Sequence, residues 1–314
     1  MNEEPLVTVN ILSFNRKDEL RNTLTKVYDQ DYKNIEIIVV DNASGDGSSE
    51  MVKKEFPDVQ LIQLEKNIGI AGWNEGFNAA KGEYILVLDD DSYPIINTIR
   101  IGIIKLMNEN KIGIIACNIV IGSQFDLESA SVYDELEKSV NSFVGCGAII
   151  RRNVLETIGG FESELFLYFH EVEIALRIVD AGWKIVASPK SIVVHNIAST
   201  NRQYDDNLVD NRKVYYDVRN LFLVIYLHFP LSKSLSLFMR IMLGRIVYGI
   251  LHNKLLVVLS AIKSAISIMI KLKSNRAIVS ESTQARYLFG SFSGGFFFYN
   301  FNYGLRRPRW MKQN

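Results

Sequence analysis

Residues 84–91 join five apolar residues to three consecutive aspartates, and this junction constrains the fold more than any other stretch. Tyr84–Leu88 predicts a buried strand, so Asp89, Asp90 and Asp91 follow it at the edge of a core. Three adjacent carboxylates repel one another and are partly desolvated there. A divalent cation such as Mg²⁺ or Mn²⁺ would remove both costs, and such a cation most often holds a diphosphate. An acidic, solvated turn is the alternative interpretation.

The first 120 residues alternate strand and helix patterns, which predicts parallel βαβ units. The predicted strands are Val7–Leu12, Ile35–Val40, Val59–Leu64, Tyr84–Leu88 and Gly113–Val120, and the predicted helices are Arg16–Tyr28, Ser48–Phe56 and Trp73–Ala80. Polar or Gly-bearing loops follow the strands, and open α/β sheets bind ligands at that edge. The chain has neither a G-x-G-x-x-G nor a P-loop motif, so a dinucleotide or P-loop site loses its main support.

After residue 120 the alternation weakens. Val144–Arg151 predicts a strand that contains Gly145 and Gly147, which allow a ligand or another backbone to approach, or a bulge. Leu167–Val179 predicts a helix. Trp183–Ser188 and Ile192–His195 predict two short strands, the second of which ends in a histidine.

The net charge of zero is the sum of an acidic region and a basic region of opposite net charge. Residues 231–314 hold 13 Lys and Arg and one acid, Glu281, whereas residues 1–230 hold 22 Lys and Arg and 34 acids. We therefore expect two regions, 1–225 and 226–314, with different roles. Cys117 and Cys146 lack a metal-binding spacing, which favours reduced buried thiols in a cytosolic protein. The acidic N-terminus does not resemble a secretory signal.

The basic region is also apolar. Lys254–Lys271 has the pattern of an amphipathic helix, and Leu235–Leu251 is more apolar but contains Arg240 and Arg245. Neither provides the ~18 uncharged apolar residues that favour a spanning helix. Tyr287–Leu305 mixes aromatic residues with Gly and precedes a basic cluster at residues 306–310. This composition favours a membrane surface over nucleic acid, and packing on the body or on a second subunit is the alternative.

Five ordered blocks within residues 5–225 resemble the family 2 glycosyltransferases, most closely the rhamnosyl- and galactofuranosyltransferase types. The blocks are Val9–Arg16, Ile38–Ser44, Asn67–Gly72, Leu88–Asp91 and Phe169–Arg177. The resemblance implies an inverting enzyme with the GT-A fold, a Rossmann-like, mostly parallel sheet flanked by helices, here followed by a C-terminal helical region.

The resemblance also assigns nucleotide and metal residues. Asp41 would accept a hydrogen bond from the uracil or thymine imide, with the Ser13 loop beside the base. The other expected nucleotide contacts are Asn15, Asn67, Gly69, Asp89 and Asp90. Asp89 and Asp91 form the family's D-x-D motif, and Asp91, His195 and Asp89 would hold Mn²⁺ or Mg²⁺.

Glu171 matches the family's catalytic base, which takes the acceptor proton opposite the leaving diphosphate. The family commonly has an acidic pair where this chain has His170-Glu171, and an Asp at Glu173, so Glu173 and His170 stay alternatives for the base. On the acceptor and sugar side the resemblance implies the residues Gly145, Cys146, His170, Glu173 and Arg177. Helix-face acids paired with Arg177 are the structural alternative.

The resemblance therefore implies a metal-dependent transferase that moves a sugar from a UDP- or dTDP-sugar to a saccharide or lipid-linked saccharide in cell-surface polysaccharide synthesis. We expect the protein to lie in the cytoplasm, attached peripherally to the inner face of the cell membrane. We expect no nucleic-acid partner, and the sequence leaves a homo-oligomer possible. The alternatives are a nucleotidyltransferase and a catalytically degenerate binding module.

Overall fold

The computed structural model describes residues 4–122, 138–196 and 211–289. The segments 290–305 and 306–310, whose aromatic and basic composition suggests a membrane surface, lie outside the described residues. The chain divides into two compact units, one formed by Met1–Phe166 with His170–Tyr204 and the other by Leu167–Phe169 with Asp205–Asn314.

The first unit contains a mixed sheet flanked by helices. Its strands are β1 Val7–Ser13, β2 Ile35–Asp41, β3 Gln60–Gln63, β4 Tyr84–Asp89, β5 Ser92–Pro94, β6 Ile112–Ile121, β7 Lys138–Val140, β8 Ala148–Arg151 and β9 Lys184–His195. Its helices are α1 Lys17–Tyr28, α2 Ser48–Glu55, α3 Gly72–Ala79, α4 Thr98–Asn108, α5 Arg152–Ile158 and α6 His170–Asp180. The predicted α/β architecture is therefore confirmed.

The strand order is β3-β2-β1-β4-β8-β6-β9-β5, with β7 also paired to β9. The pairs β3-β2, β2-β1 and β1-β4 are parallel, so the carboxyl ends of these four strands meet at one edge. Strand β8 is antiparallel to both β4 and β6. The parallel half therefore aligns the loops that the sequence marks as polar.

The sheet is buried on both faces because its central strands are nearly continuous runs of apolar residues. Ile11, Leu86 and Leu88 are fully buried, and Leu20 and Leu24 of α1 belong to the same core. The polar residues that follow these strands lie at their carboxyl ends, where several of them are themselves buried.

Arg151 at the end of β8 joins three elements inside this unit. Its Nε donates to the carbonyl of Ile112 at 2.7 Å, and its guanidinium also contacts the carbonyl of Leu106 and the hydroxyl of Tyr84. Each contact satisfies a polar group in a site that is only 9% exposed. Arg151 thereby fixes the end of α4 to the edges of β4 and β6.

Several predicted boundaries differ from the structure. Strand β8 begins at Ala148, so Gly145 and Gly147 precede the strand instead of lying inside it. The two predicted strands at 183–195 form one strand, β9, whose register with β6 shifts between Cys117 and Asn118. Helix α6 begins at His170 rather than at Leu167, since Tyr168 and Phe169 have φ values of 63° and 64°.

The second unit is helical. Its helices are α7 Asn211–His228, α8 Leu231–Leu251, α9 Leu255–Lys271 and α10 Glu281–Phe289. The region boundary predicted at residue 225 falls inside α7, and the division between the two units falls after Tyr204. The segments Leu231–Leu251 and Leu255–Asn275 are each 21 residues long, with mean hydropathies of 1.5 and 2.0, and are long and apolar enough to cross a membrane by length and composition.

Candidate active site

Strand pairing brings the first predicted site residues to one edge of the sheet. Ser13 lies opposite Asp41 in the β1-β2 ladder, and Leu12 lies opposite Asp89 in the β1-β4 ladder. Each of these residues ends its strand or lies one position from the end. Because the three strands are parallel, the loops that carry Ser13, Asp41 and Asp89 leave the sheet in the same direction.

Asn15 ties the loops after β1 and β2 to each other, and Asp41 orders the second of these loops. The Asn15 side-chain oxygen accepts a hydrogen bond from the Gly45 amide at 2.7 Å, and the Asn15 amide donates to the Ser44 hydroxyl at 2.9 Å. Asp41 is buried and accepts hydrogen bonds from the Ser44 amide, at 2.8 Å, and from the Ser49 hydroxyl. Each carboxylate oxygen can accept a further hydrogen bond, so Asp41 both orders its loop and keeps capacity for a ligand.

Asn42 connects this pair of loops to a third one. Its side-chain oxygen accepts from the Ile68 amide at 2.9 Å and its side-chain amide donates to the Gly69 carbonyl at 3.0 Å. The Asn67 side chain accepts from the Gly69 amide at 2.8 Å. Gly69 has a φ of 64°, and a Cβ there would overlap the carbonyl of Phe166. Only glycine fits this position, which holds the backbone of the third loop close to the site.

The three aspartates after β4 meet Arg16 from the loop before α1. The Arg16 guanidinium contacts the Asp91 carboxylate and lies 3.4 Å from Oδ1 of Asp90. The other oxygen of Asp90 accepts from the Phe14 amide at 3.0 Å. Asp90 and Asp91 are buried and Asp89 is half-buried, so one arginine stands against three carboxylates.

The electrostatics of the cluster reflect this imbalance. Burial and the charge of Asp91 raise the pKa of Asp89 to about 6, and burial, only partly offset by Arg16, raises the pKa of Asp90 to about 8. Burial would also raise the pKa of Asp91, but its contacts with His195 and Arg16 outweigh burial and lower it. The ionised carboxylate is therefore stabilised at Asp91 and destabilised at Asp89 and Asp90.

The pairing of β5 with β9 brings His195 into the same cluster. Ser92 lies opposite His195 in this antiparallel ladder, and Nε2 of His195 is 3.0 Å from Oδ1 of Asp91. One ligand atom each from Asp89, Cys146 and His195 lie within 4.8 Å of one another. A carboxylate and an imidazole suit Mn²⁺, and a cation between them would offset the repulsion among the aspartates. These residues therefore fit a divalent cation, with Cys146 as a neighbour that the sequence assigned to the sugar side.

Cys146 is buried, and burial together with Asp89 and Asp91 raises the pKa of its thiol well above the ordinary value. Cys117 is likewise a buried free cysteine, and burial raises the pKa of its thiol to about 12. Both side chains are free thiols, as the sequence analysis expects.

Glu171 and Glu173 at the start of α6 have different surroundings. The Glu173 carboxylate, 2% exposed, receives two hydrogen bonds from Arg177, at 2.8 and 2.7 Å. Arg177 also donates to the carbonyls of Ile158 and Gly160 at 2.6 and 2.7 Å. Glu173 and Arg177 thus form a closed, buried ion pair that fixes α6 to the segment after α5.

The Glu171 carboxylate is more accessible, with its side chain 23% exposed. Its Oε1 lies 3.4 Å from the Gly145 amide, and its Oε2 lies 3.3 Å from Nδ1 of His170. These contacts are long, so the carboxylate oxygens remain available to a ligand. Of the three residues considered for the base, Glu171 is the carboxylate without a guanidinium partner in the described contacts.

His170 lies in an aromatic pocket. Its ring centroid is 5.7 Å from that of Trp73 and 5.2 Å from that of Phe161, in an edge-to-face arrangement with the latter. The side chain is buried, neither ring nitrogen has a hydrogen-bond partner among the described residues, and burial lowers the pKa of the imidazole. Burial therefore favours the neutral imidazole, whose Nδ1 lies 3.3 Å from the Glu171 carboxylate and whose Nε2 has no hydrogen-bond partner among the described residues.

Gly145 and Cys146 connect the two halves of the site. The Gly145 amide faces Glu171, and the adjacent Cys146 thiol lies with Asp89 and His195. A Cβ on Gly145 would lie 3.0 Å from Nε2 of His170 and 3.3 Å from Oε1 of Glu171. The structure thus brings together the strand-end acids, His195, the Gly145-Cys146 pair and Glu171, while Glu173 and Arg177 are engaged with each other.

Sequence reasoning missed three residues that shape the site, namely Arg16, Asn42 and Trp73. Arg16 and Asn42 belong to blocks that carry the family resemblance. Arg16 could have been predicted because three adjacent carboxylates need a cationic side chain near them. Trp73 donates from its indole nitrogen to the Leu88 carbonyl at 3.2 Å and forms one wall of the His170 pocket. No local pattern indicates a contact between residues 97 positions apart.

Comparison with protein families gives a match over residues 8–159 to the model described as Glycosyl transferase family 2. The α6 residues and His195 lie beyond the matched region. One relative is the UDP-Glc:alpha-D-GlcNAc-diphosphoundecaprenol beta-1,3-glucosyltransferase WfaP of Escherichia coli, 38% identical over 91 residues, covering 28% of this chain and 36% of that protein. Another is the putative teichuronic acid biosynthesis glycosyltransferase TuaG of Bacillus subtilis (strain 168), 34% identical over 94 residues, covering 29% and 37%. The chain therefore spans little more than a third of the length of either relative.

Solved structures share the architecture. The structure of GalNAc-T7 with UDP, GalNAc and Mn²⁺ superposes with a TM-score of 0.61 at 14% identity, over 78% of this chain and 52% of that one. The mannosyltransferase PcManGT from Pyrobaculum calidifontis, in complex with GDP-Man and Mn²⁺, gives a TM-score of 0.56 at 20% identity, over 96% and 87%. At these identities the likeness shows the fold. Residues 8–159 therefore form a domain of glycosyl transferase family 2, and the chain has the GT-A fold.

Proposed function

We propose that the protein is an inverting, metal-dependent glycosyltransferase that moves a sugar from a UDP- or dTDP-sugar to a saccharide acceptor. The observation that carries this proposal is the position of Gly145 and Cys146 between the two parts of the site. The Gly145 amide contacts the accessible Glu171 carboxylate, and the adjacent Cys146 thiol lies with Asp89 and His195. These two residues and Asp91 form a strand-end cluster that fits a divalent cation. A base on one side and a diphosphate site on the other are what direct displacement at an anomeric carbon requires.

The donor's nucleotide would lie along the loops after β1, β2 and β3. Asp41 would accept the imide N–H that uracil and thymine share, and Ser13 and Asn15 would border the base. The buried Ser13 hydroxyl has no hydrogen-bond partner among the described residues, which leaves it available to a ligand. Asn67 and Gly69 would border the nucleotide where the glycine backbone comes close, and Asp89 and Asp90 would lie nearest the ribose.

Asp91, His195 and Asp89 would hold Mn²⁺ or Mg²⁺, and the bound cation would neutralise the charge of the diphosphate leaving group. This assignment agrees with the lowered pKa of Asp91, which keeps that carboxylate ionised. Arg16 contacts the same carboxylate, so the arginine must share Asp91 with the cation or move towards the phosphates.

Glu171 would take the proton of the acceptor hydroxyl as its oxygen bonds to the anomeric carbon and the bond from that carbon to the diphosphate oxygen breaks. The anomeric configuration is inverted because attack and departure occur on opposite faces. His170, whose Nε2 has no hydrogen-bond partner among the described residues, would bind a sugar hydroxyl beside Glu171. Glu173 and Arg177 would hold α6 in place rather than exchange protons.

We further propose that the acceptor is lipid-linked and that the enzyme acts in cell-surface polysaccharide synthesis at the inner face of the cell membrane. Support comes from the two relatives, whose names specify a diphosphoundecaprenol acceptor and teichuronic acid biosynthesis. The rhamnosyl or galactofuranosyl subtype stays a prediction. The family match leaves the nucleotidyltransferase alternative without support, and the accessible Glu171 argues against a degenerate binding module.

Calorimetric titration of the full chain with UDP, dTDP and GDP, each with and without Mn²⁺, tests the donor site independently of the acceptor. We expect UDP or dTDP to bind more tightly than GDP and to lose affinity when EDTA removes the metal. GDP binding that is equal or tighter would contradict the role of Asp41. Binding that EDTA leaves unchanged would contradict the metal role of the aspartates.

A further inference from the structure

The exposed side of α8 carries a continuous row of large apolar side chains. Residues four apart are neighbours on a helix surface, and six such positions form a row that runs the length of the helix and turns by about 40° at each step. They are Leu231, Leu235, Met239, Leu243, Val247 and Leu251, with exposed fractions of 58, 65, 56, 66, 47 and 69%. We call these six residues the α8 stripe.

The opposite side of α8 holds the helix within its own unit. Ser234 donates to the carbonyls of Ile225 and Phe229 at 3.3 and 3.2 Å, and the Phe238 ring lies 5.2 Å from that of Phe222 in α7. Ile241 is buried along the same side. The packing requirement of α8 is therefore met by the residues opposite the stripe.

Helix α9 follows after a short turn, in which the Lys254 amide donates to the Gly249 carbonyl at 2.7 Å. It buries Val258, Ala261 and Ala265 and exposes further apolar side chains. These are Leu256, Leu259, Ile266 and Ile270, with exposed fractions of 83, 45, 55 and 75%. With Ile250 of α8, which is 57% exposed, these two consecutive helices present eleven large apolar side chains to solvent, far more than a soluble surface ordinarily shows.

The charges around this surface are almost all of one sign. Among the described residues from 231 onward, the exposed basic side chains are Lys233, Arg240, Lys263, Lys271 and Lys273, and Glu281 is the one acid. A partner that matches both features must be apolar within and anionic at its surface. An anionic lipid bilayer has these two properties in adjacent layers.

The positions of the cations distinguish helices that lie in the interface from helices that cross it. Arg240 is near the middle of the 21-residue α8, and Lys263 is near the middle of the 17-residue α9. Both are exposed on the outer side with the apolar residues. In a spanning helix they would sit at the bilayer centre, where charge is costly. In a helix parallel to the surface, their long stems reach the headgroups.

We propose that α8 and α9 lie in the plane of an anionic lipid surface, with the α8 stripe and the exposed apolar residues of α9 inserted below the headgroups. Arg240 and Lys263 bind lipid phosphates. This inference names the surface and the mode of the membrane attachment included in the proposed function, and it does not depend on sugar transfer.

Flotation of the full chain with vesicles tests the surface. We expect it to float with phosphatidylglycerol-containing vesicles and less with purely zwitterionic ones. The double variant Leu235→Glu/Leu243→Glu should reduce the floated fraction roughly tenfold or more, because it places two charges within the inserted face. Ile104→Glu, at a site on α4 that is 53% exposed in the first unit, is the matched control and should float normally. Circular dichroism establishes that both variants fold.

A labelling experiment tests the orientation. The turn residue His252 is exposed, and Cys117 and Cys146 are buried, so His252→Cys provides one accessible thiol among the described residues. With protein added outside the vesicles, in-plane helices leave this thiol open to a membrane-impermeant maleimide. Protection of the thiol would show a spanning hairpin and overturn the in-plane arrangement.

Two outcomes would overturn the lipid assignment. One is full-length protein that floats with neither vesicle type. The other is a dimer in solution, measured by light scattering, that the double variant converts to a monomer without any vesicle binding, since a second copy would then be the occupant. Retention of nucleoside diphosphate release in solution would show that the proposed activity stands even if flotation fails.

Discussion

Glu171 and Glu173 lie two residues apart on α6, yet substitution by glutamine should affect them in opposite ways. Glu171→Gln keeps the shape of the side chain but removes the group that accepts the acceptor proton. We expect kcat to fall by roughly 10²–10⁴, with donor binding nearly unchanged. The contacts of Glu171 with Gly145 and His170 are long, 3.4 and 3.3 Å, so the thermal midpoint should stay within a degree or two.

Glu173→Gln should instead destabilise the fold. The substitution leaves the Arg177 guanidinium beside a neutral amide in a site where the Glu173 side chain is 2% exposed. Breaking a buried ion pair by removing one partner costs about 3–5 kcal/mol, and one retained hydrogen bond places the expected loss at about 3 kcal/mol. That loss corresponds to a decrease in thermal midpoint of roughly 6–12 °C. The folded fraction should keep a kcat close to that of the parent.

Both variants are measured by nucleoside diphosphate release at saturating substrates and by thermal unfolding followed by circular dichroism. The reasoning fails if Glu173→Gln loses kcat while keeping its midpoint, or if Glu171→Gln turns over normally. The first result would transfer the base to Glu173. The second would leave His170 as the remaining candidate next to the acceptor.

Three further substitutions have distinct expected results. Asp91→Ala should abolish transfer and the restoration of activity by Mn²⁺ after EDTA treatment while circular dichroism stays native, and full turnover in chelator would contradict it. Asp41→Ala should weaken UDP or dTDP binding by about 1.5–3 kcal/mol in calorimetry, the range for a hydrogen bond to a charged group. Arg151→Met should lower the free energy of unfolding by about 2–4 kcal/mol in urea titration, because it leaves the Ile112 and Leu106 carbonyls unpaired; an unchanged midpoint would show that this network contributes little.

The parallel half of the sheet could be predicted because its strands are short apolar runs separated by polar loops. The β1, β2 and β4 strands each follow this pattern, and the structure extends each by one residue at its carboxyl end. Strand β5 could not be predicted, since Ser92–Pro94 has no periodicity and is defined by its pairing with β9. Helix α4 was missed although Ile99, Ile103 and Leu106 recur at helical spacing and are buried.

The site was predictable where chemistry is concentrated in short motifs and unpredictable where it depends on distant contacts. The strand-end position of Asp89 and the helix position of Glu171 follow from local pattern and family resemblance. The closed pair of Glu173 with Arg177 follows from i, i+4 spacing, but its burial does not. The approach of Cys146 to Asp89 and His195 depends on three separate strand ends, which no sequence window contains.

Acceptor-dependent release of nucleoside diphosphate from a panel of UDP-, dTDP- and GDP-sugars tests the central claim most directly. The panel is offered to the full-length protein with saccharide and lipid-linked saccharide acceptors, in Mn²⁺ and in EDTA, beside the Glu171→Gln variant. We predict release from a UDP- or dTDP-sugar that requires metal and acceptor and that falls in the variant. Release from no donor with any acceptor, or equal release by the Glu171→Gln variant and in EDTA, would contradict the account.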